Sequence, residues 1–219
     1  MHIKLIDVPL YYGCDNPGTH LAPMTFSKNQ IASLIEERGH QLDRLSIVPT
    51  PQNPTDKDAE PTMKYLNEVT YTCRQLADCV HSGRHNGQFP LVIGGDHALG
   101  LGSIAGLARS IPADQLSVIW IDAHTDINTN LTSPSHNIHG MPLAARLSRA
   151  RRTTMPTFRS WSSRMASSRS LAVPSCRVST TQPCPAWRAS RSASSSPESW
   201  RTARGMARVF LLVSWQMVN

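Results

Sequence analysis

Two short apolar runs, each breaking directly into carboxylates and imidazoles, constrain this chain more than any other feature. Leu91, Val92 and Ile93 lead straight into Gly94, Gly95, Asp96 and His97. Val118, Ile119, Trp120 and Ile121 lead straight into Asp122, His124 and Asp126. Continuous apolar runs this short and this rich in β-branched residues predict strands buried on both faces, the habit of parallel sheets. Ligands of such sheets gather beyond the carboxyl ends of the strands, where these polar residues fall. Asp122, His124 and Asp126 alternate at every second position, so in extended backbone they project to one side. Two carboxylates and an imidazole there, joined by His97 from a second strand end, suit a divalent ion of Mn²⁺ or Zn²⁺ type. The bland alternative for Asp122–Asp126 alone is a solvated, N-capping loop. Repetition of the pattern at two strand ends is what favours the metal.

The preceding chain supplies the rest of an α/β domain. Residues 2–13 begin with a strand-like alternation and lack the basic-then-apolar build of a signal peptide. Thr25 to Arg38 predicts one helix, with Ile31, Leu34 and Ile35 at helical spacing and Gly39 as its C-cap. Leu42, Leu45 and Ile47 fit a second strand, and the proline-rich stretch from Pro49 to Pro61 a surface loop. Met63 to His81 predicts a helix with Leu66, Val69, Cys73, Leu76 and Val80 on one face. A strand at 90–93, a helix from Leu99 to Arg109 and a strand at 117–122 follow. Strand alternating with helix is the signature of parallel α/β architecture. The glycines at 94, 95, 100 and 102 invite a phosphate-loop reading, but their spacing matches neither the dinucleotide fingerprint nor the Walker pattern.

The overall charge of +7 hides a break. Up to Leu147 ten basic residues stand against fourteen acids; from Ser148 onward twelve arginines and no lysine stand against Glu198 alone. That tail also holds sixteen serines and a single glycine, without amphipathic period. The expected organisation is therefore an α/β domain at 1–147 and a low-complexity, disordered Ser/Arg-rich tail at 148–219. The five cysteines are odd in number and none is spaced C-x-x-C, so neither a disulfide framework nor a zinc knuckle is indicated. A reducing cytoplasm is the expected compartment. The apolar run from Val209 to Val218 is too short to span a bilayer.

The motifs GGDH (94–97), DAHTD (122–126) and INTNLTSPSHNIHG (127–140) resemble the arginase branch of the manganese ureohydrolases. The resemblance implies a three-layer α/β/α parallel sheet, of which the chain carries the first half. It also implies hydrolysis of L-arginine to L-ornithine and urea by a hydroxide that two Mn²⁺ activate. Metal roles then fall on His97, Asp122, His124 and Asp126, Asp126 counting also among the catalytic residues. Asn128, Ser133, Ser135 and Asn137 are expected to hold the substrate α-carboxylate, which favours arginine over agmatine. His139 resembles the proton-shuttling histidine of the family, a task for an imidazole that titrates near neutrality; the alternative is a loop histidine without chemistry. The family is often trimeric, so a homo-oligomer is the expected assembly, and no membrane partner is expected.

The sequence also departs from that pattern. Asn130 and His136 stand where many arginases have Pro and Gly. The family continues with an Asp-x-Asp motif that completes both metals, and later with a Glu beside the guanidinium. After Asp126 the only acid here is Glu198. The second metal site is thus expected to be incomplete and the chain inactive, with unpaired apolar edges on the two signature strands. An abrupt change near Leu147, with Arg in place of any Lys, is the composition a GC-rich gene yields when read in another frame. Two further readings stay open: a genuine Arg/Ser-rich segment binding RNA or another polyanion, and a non-catalytic partner of a full-length arginase.

Overall fold

The computed structural model has parallel strands alternating with helices along the chain, although strands Gln41–Ser46 and Phe89–Gly94 are largely exposed or half-buried and Leu116–Ile121 alternates buried with half-buried or exposed residues. It describes residues 1–47, 60–112, 115–147, 178–180 and 208–213. In chain order the elements are β1 (His2–Val8), α1 (Ala22–Lys28), α2 (Ile31–Glu37), β2 (Gln41–Ser46), α3 (Leu66–His85) and β3 (Phe89–Gly94). There follow α4 (Leu99–Ala108), β4 (Leu116–Ile121), α5 (Pro142–Leu147), β5 (Val178–Thr180) and β6 (Arg208–Val213). β1 lies between β2 and β3, parallel to both, with Ile6 opposite Leu45 on one side and Val92 on the other. β4 lies in a second parallel sheet between β5 and β6.

The stripe predicted on α3 is the one it buries: Leu66, Val69, Cys73, Leu76 and Val80 are all at most 8% exposed. They pack with Ile6, Val8, Leu10 and the α4 residues Leu99, Leu101 and Leu107 in the main core. Glycines let α3 and α4 approach closely. A Cβ on Gly102 would stand 2.7 Å from the Cys73 carbonyl oxygen, and one on Gly106 2.6 Å from that of Ala77. Ile104 on the far side of α4 meets Val118 and Trp120 of β4 and Leu143 of α5. One helix thus touches both sheets and sets the ends of β3 and β4 side by side.

Two expectations are corrected. The single helix over 25–38 is two, broken at Asn29–Gln30, where Gln30 takes a left-handed φ of +58°; Gly39, at φ +76°, ends the second as expected. β4 has no bare edge, because β5 and β6 cover both sides; β3 and β4 are indeed not joined through a sheet, and among the described residues β3 is an edge strand. Within the 148–219 stretch, Val178–Thr180 and Arg208–Val213 form β5 and β6. The rest of 148–219, including every Arg-Ser dipeptide, lies outside the described residues, as does most of the Pro49–Pro61 loop. Among the described residues no helix is long and apolar enough to cross a membrane.

Candidate metal centre

Each signature motif begins where its strand must stop. A Cβ on Gly95 would lie 1.5 Å from the Leu10 carbonyl oxygen, so only glycine lets the chain turn there against the end of β1. Gly95 N–H donates to the Val8 carbonyl and Asp96 N–H to that of Leu10. The turn delivers two side chains, each 4% exposed: Asp96 toward the loop after β1, and His97 toward the end of β4.

His97 meets both carboxylates of the second motif. Its Nδ1 is 2.9 Å from Asp126 Oδ2, in a hydrogen bond, and 2.6 Å from Asp122 Oδ2. The Asp122 oxygen accepts no hydrogen bond although it is buried. The three ligand atoms lie within 4.8 Å of one another, and a single Nδ1–H can satisfy only one of the two oxygens. Two anionic oxygens and a nitrogen converging out of water, with one oxygen unmet, fit a hard or borderline divalent cation such as Mn²⁺. The Trp120 ring packs edge-on against His97, centroids 6.3 Å apart, and excludes water from that side.

His124 is placed differently from its neighbours. The run 122–126 is not extended: Asp126 has a left-handed φ of +48°, and the alternation that would line up three side chains is lost. His124 is 67% exposed at its side chain and its Nδ1 stands 3.6 Å from Asp122 Oδ1, outside the tight group but facing the carboxylate's other oxygen. Asp122 therefore presents one oxygen to each histidine.

The loop 127–140 leaves Asp126 and returns beside His97 at His139. Asn128 N–H donates to the Gly140 carbonyl and its Oδ1 accepts from Thr132 Oγ1, pinching the loop base. Ser133 and Ser135 hydroxyls are 3.5 Å apart, and Ser135 Oγ accepts from Asn137 N–H. Asn137 Nδ2 reaches the Cys14 carbonyl at 2.9 Å, leaving its buried Oδ1 without a partner. The ring of His139 stands 6.1 Å from that of His97, with a buried, unpartnered Nδ1. The fold thus brings His139 beside His97 and ties Asn137 to the Cys14 peptide, while Asn128 and Ser135 stay exposed at the loop surface.

Burial pulls the His97 imidazole down, but the Asp126 hydrogen bond and the charges of Asp126, Asp122 and Asp96 outweigh it, so its pKa ends above the usual 6.5. His139 moves the other way: burial, aided by His97 and His124, outweighs the nearby carboxylates and lowers it below 6.5. His139 is therefore neutral at pH 7, a base with an open nitrogen. Burial pushes the Asp96 carboxyl up to about 6, against three backbone N–H donors and His97 that pull it down.

Four of the five non-glycine residues with positive φ among the described residues, Asp15, Tyr65, Asp126 and His136, border this region. Such strain collects where surrounding structure over-determines a site. Lys64 N–H donates to the His136 carbonyl, Lys64 Nζ and Tyr65 Oη both reach the Asp15 carboxylate, and Asn130 Nδ2 reaches Thr62 Oγ1. At φ +59°, His136 occupies backbone that glycine adopts without strain, and its buried Nδ1 meets no partner. His136→Gly is expected to stabilise the fold by about 1 kcal/mol, relief of the left-handed strain outweighing glycine's added chain entropy. A higher urea midpoint would show it; a lower one would mean that the imidazole has a bonding role.

Residues given no site role by the sequence also shape the centre: Asp96, Gly13, Cys14 and Trp120. The sequence profile of the arginase family matches residues 1–182, running past Leu147 to take in β5. The arginase of Brevibacillus brevis is 40% identical over 148 residues, covering 67% of this chain and 48% of that protein. The solved arginase of Bacillus caldovelox superposes with a TM-score of 0.62 at 35% identity, over 67% of this chain and 48% of its own. That of Entamoeba histolytica, determined with L-ornithine, gives 0.59 at 33%, over 66% and 48%. The chain spans about half the length of the curated relatives it matches. Signature motifs, parallel sheet and converging ligands agree with the profile: the chain belongs to the arginase family.

Proposed function

We propose that this chain carries the first half of an arginase-type centre, built to hydrolyse L-arginine to L-ornithine and urea, and that alone it turns over little or nothing. The observation that supports the reading is Asp122: its buried Oδ2 meets His97 but accepts no hydrogen bond, while its Oδ1 accepts the His124 backbone N–H and lies 3.6 Å from His124 Nδ1. His97, Asp122 and Asp126 would hold one Mn²⁺; His124 and the second oxygen of Asp122 would begin the site of another. Bound divalent ions supply a lowered pKa for water and a counter-charge for the reacting group.

The remaining steps belong to the chain's own side chains. Asn137, Ser133, Ser135 and Asn128 offer amide and hydroxyl donors suited to a carboxylate, so they orient the amino-acid end of the substrate. His139, neutral and with an open Nδ1, takes up a proton near the centre and returns it to the departing amine. Asp126 fixes the His97 ring through its hydrogen bond. What is wanting is charge: after Asp126 the sequence offers only Glu198, so the second cation lacks the carboxylates that would neutralise it.

The test is calorimetric titration of the full chain with Mn²⁺, alongside urea release from L-arginine. One ion bound tightly, with urea at the level of the blank, is the expected result. Absence of Mn²⁺ binding would overturn the metal reading, and steady turnover would overturn the inactivity. The polyanion-binding reading rests on residues outside the described ones, and no structural observation favours it.

A further inference from the structure

The aspartate of GGDH does not point at the metal group. Asp96 is 4% exposed and turns away from His97's partners. Its Oδ2 accepts from Gly13 N–H at 2.9 Å and Cys14 N–H at 3.3 Å, and its Oδ1 from Ala98 N–H at 2.9 Å. The two peptides it grips are the ones on which the loop 127–140 hangs. The Gly13 carbonyl accepts from His139 N–H at 3.0 Å, and the Cys14 carbonyl accepts from Asn137 Nδ2 at 2.9 Å. The grip also depends on Gly13 having no side chain, since a Cβ there would stand 2.3 Å from Asp96 Oδ1 and 2.8 Å from the Ala98 methyl.

We propose that Asp96 is a positioning residue: through the Gly13–Cys14 peptides it sets where Asn137 and His139 stand relative to the metal group, without touching ion or substrate. The carboxylate fixes two N–H groups on one edge of the 13–14 segment, and that segment's carbonyls fix the two loop residues on the other. Asp96 is also bonded in sequence to His97, so one rigid turn sets both the ligand and the loop that returns beside it. A charged acceptor binding several backbone N–H groups is among the stronger neutral-to-ion contacts a protein makes. It is well suited to holding an irregular segment that no helix or strand supports. The role in substrate handling rests on the arginase reading; the positioning itself does not.

The test is amide hydrogen exchange on the metal-free full chain, with separate titrations of Mn²⁺ and of L-ornithine in the presence of Mn²⁺. Asp96→Asn keeps the shape but removes the charge and one of the two accepting oxygens, so either the Gly13–Cys14 pair or the Ala98 N–H faces a donor. The expected result is exchange at least tenfold faster in 11–16 and 137–140, unchanged exchange in α3 and α4, and Mn²⁺ affinity within threefold of the parent. L-Ornithine affinity falls tenfold or more. Gly13→Ala attacks the same contact from the other side and gives the same local pattern. The double variant is no worse than either alone. Asp7→Asn, which weakens the half-buried pair with Arg44, serves as a control that costs stability but leaves 137–140 unmoved. Unchanged exchange at 137–140, or a uniform rise with parallel loss of Mn²⁺ binding, would overturn the proposal. If the parent binds Mn²⁺ but no L-ornithine, the arginase reading fails while the exchange pattern still decides the role of Asp96.

Discussion

Asp122→Ala is expected to weaken Mn²⁺ binding by more than about a hundredfold, beyond the 10–100-fold that altering a merely orienting partner costs. The reason is geometric. Asp126 contributes to the His97 group alone, whereas Asp122 contributes Oδ2 to that group and Oδ1 to His124. Its loss removes anionic charge from both positions. The metal-free fold survives, because His97 keeps Asp126 as its hydrogen-bond partner; the expected cost there is about 1–2 kcal/mol. His124→Ala gives the contrast, with less than about a tenfold loss for the first ion, since that side chain is mostly solvated and stands outside the tight group. Calorimetric titration of the three proteins and their urea midpoints provide the measurement. A loss between about tenfold and a hundredfold for Asp122→Ala would reduce Asp122 to an orienting partner, and a loss below about tenfold would move the centre elsewhere.

What the sequence revealed about this centre is what is local in the chain. His97, Asp122 and Asp126 each follow an apolar run within five residues, and a parallel strand delivers whatever follows it to one sheet edge. The α3 stripe was equally legible, because its five apolar residues repeat at helical spacing and all meet the core. The posture of His124 was not, because alternation predicts a common face only while the backbone stays extended, and Asp126 leaves that region. The break at Gln30 went unmarked because the helical spacing rested on Ile31, Leu34 and Ile35, all beyond it. Little resists the break, since α2 buries none of its residues. The task of Asp96 depends on peptides 82 and 83 residues away, a pairing no spacing announces. In the tail, Ser/Arg composition gave no sign of the two short strands that pair with β4.

The stabilisation conferred by Mn²⁺ is expected to vanish on acidification, while the metal-free protein changes in the opposite sense at the same residue. His97 has a folded pKa above its ordinary 6.5. In the metal-free chain it therefore adds stability that is fully present below about 6.5 and is lost as pH rises through the higher folded value. Asp96, raised from 3.8 to about 6, acts in the same sense: the folded state holds its proton more tightly, so stability grows as pH falls from about 6 toward 4. His139 opposes them, because its lowered pKa gives stability that is present above 6.5 and lost as pH falls through the folded value. A bound cation reverses the sign at His97 alone, since it needs the neutral ring. Each pH unit below the folded pKa of His97 then costs about tenfold in affinity, or about 1.4 kcal/mol of linked stabilisation. At a free concentration a hundred times Kd the increment near pH 8 is about 2.7 kcal/mol, and two units below the His97 pKa it is nearly gone. Urea unfolding with and without Mn²⁺ across that range measures the increment directly. His97→Ala should show almost no increment at any pH. An increment in the parent that stays constant across the range would mean that Mn²⁺ binds without displacing a proton from His97, and the ligand set built from the ends of β3 and β4 would be wrong.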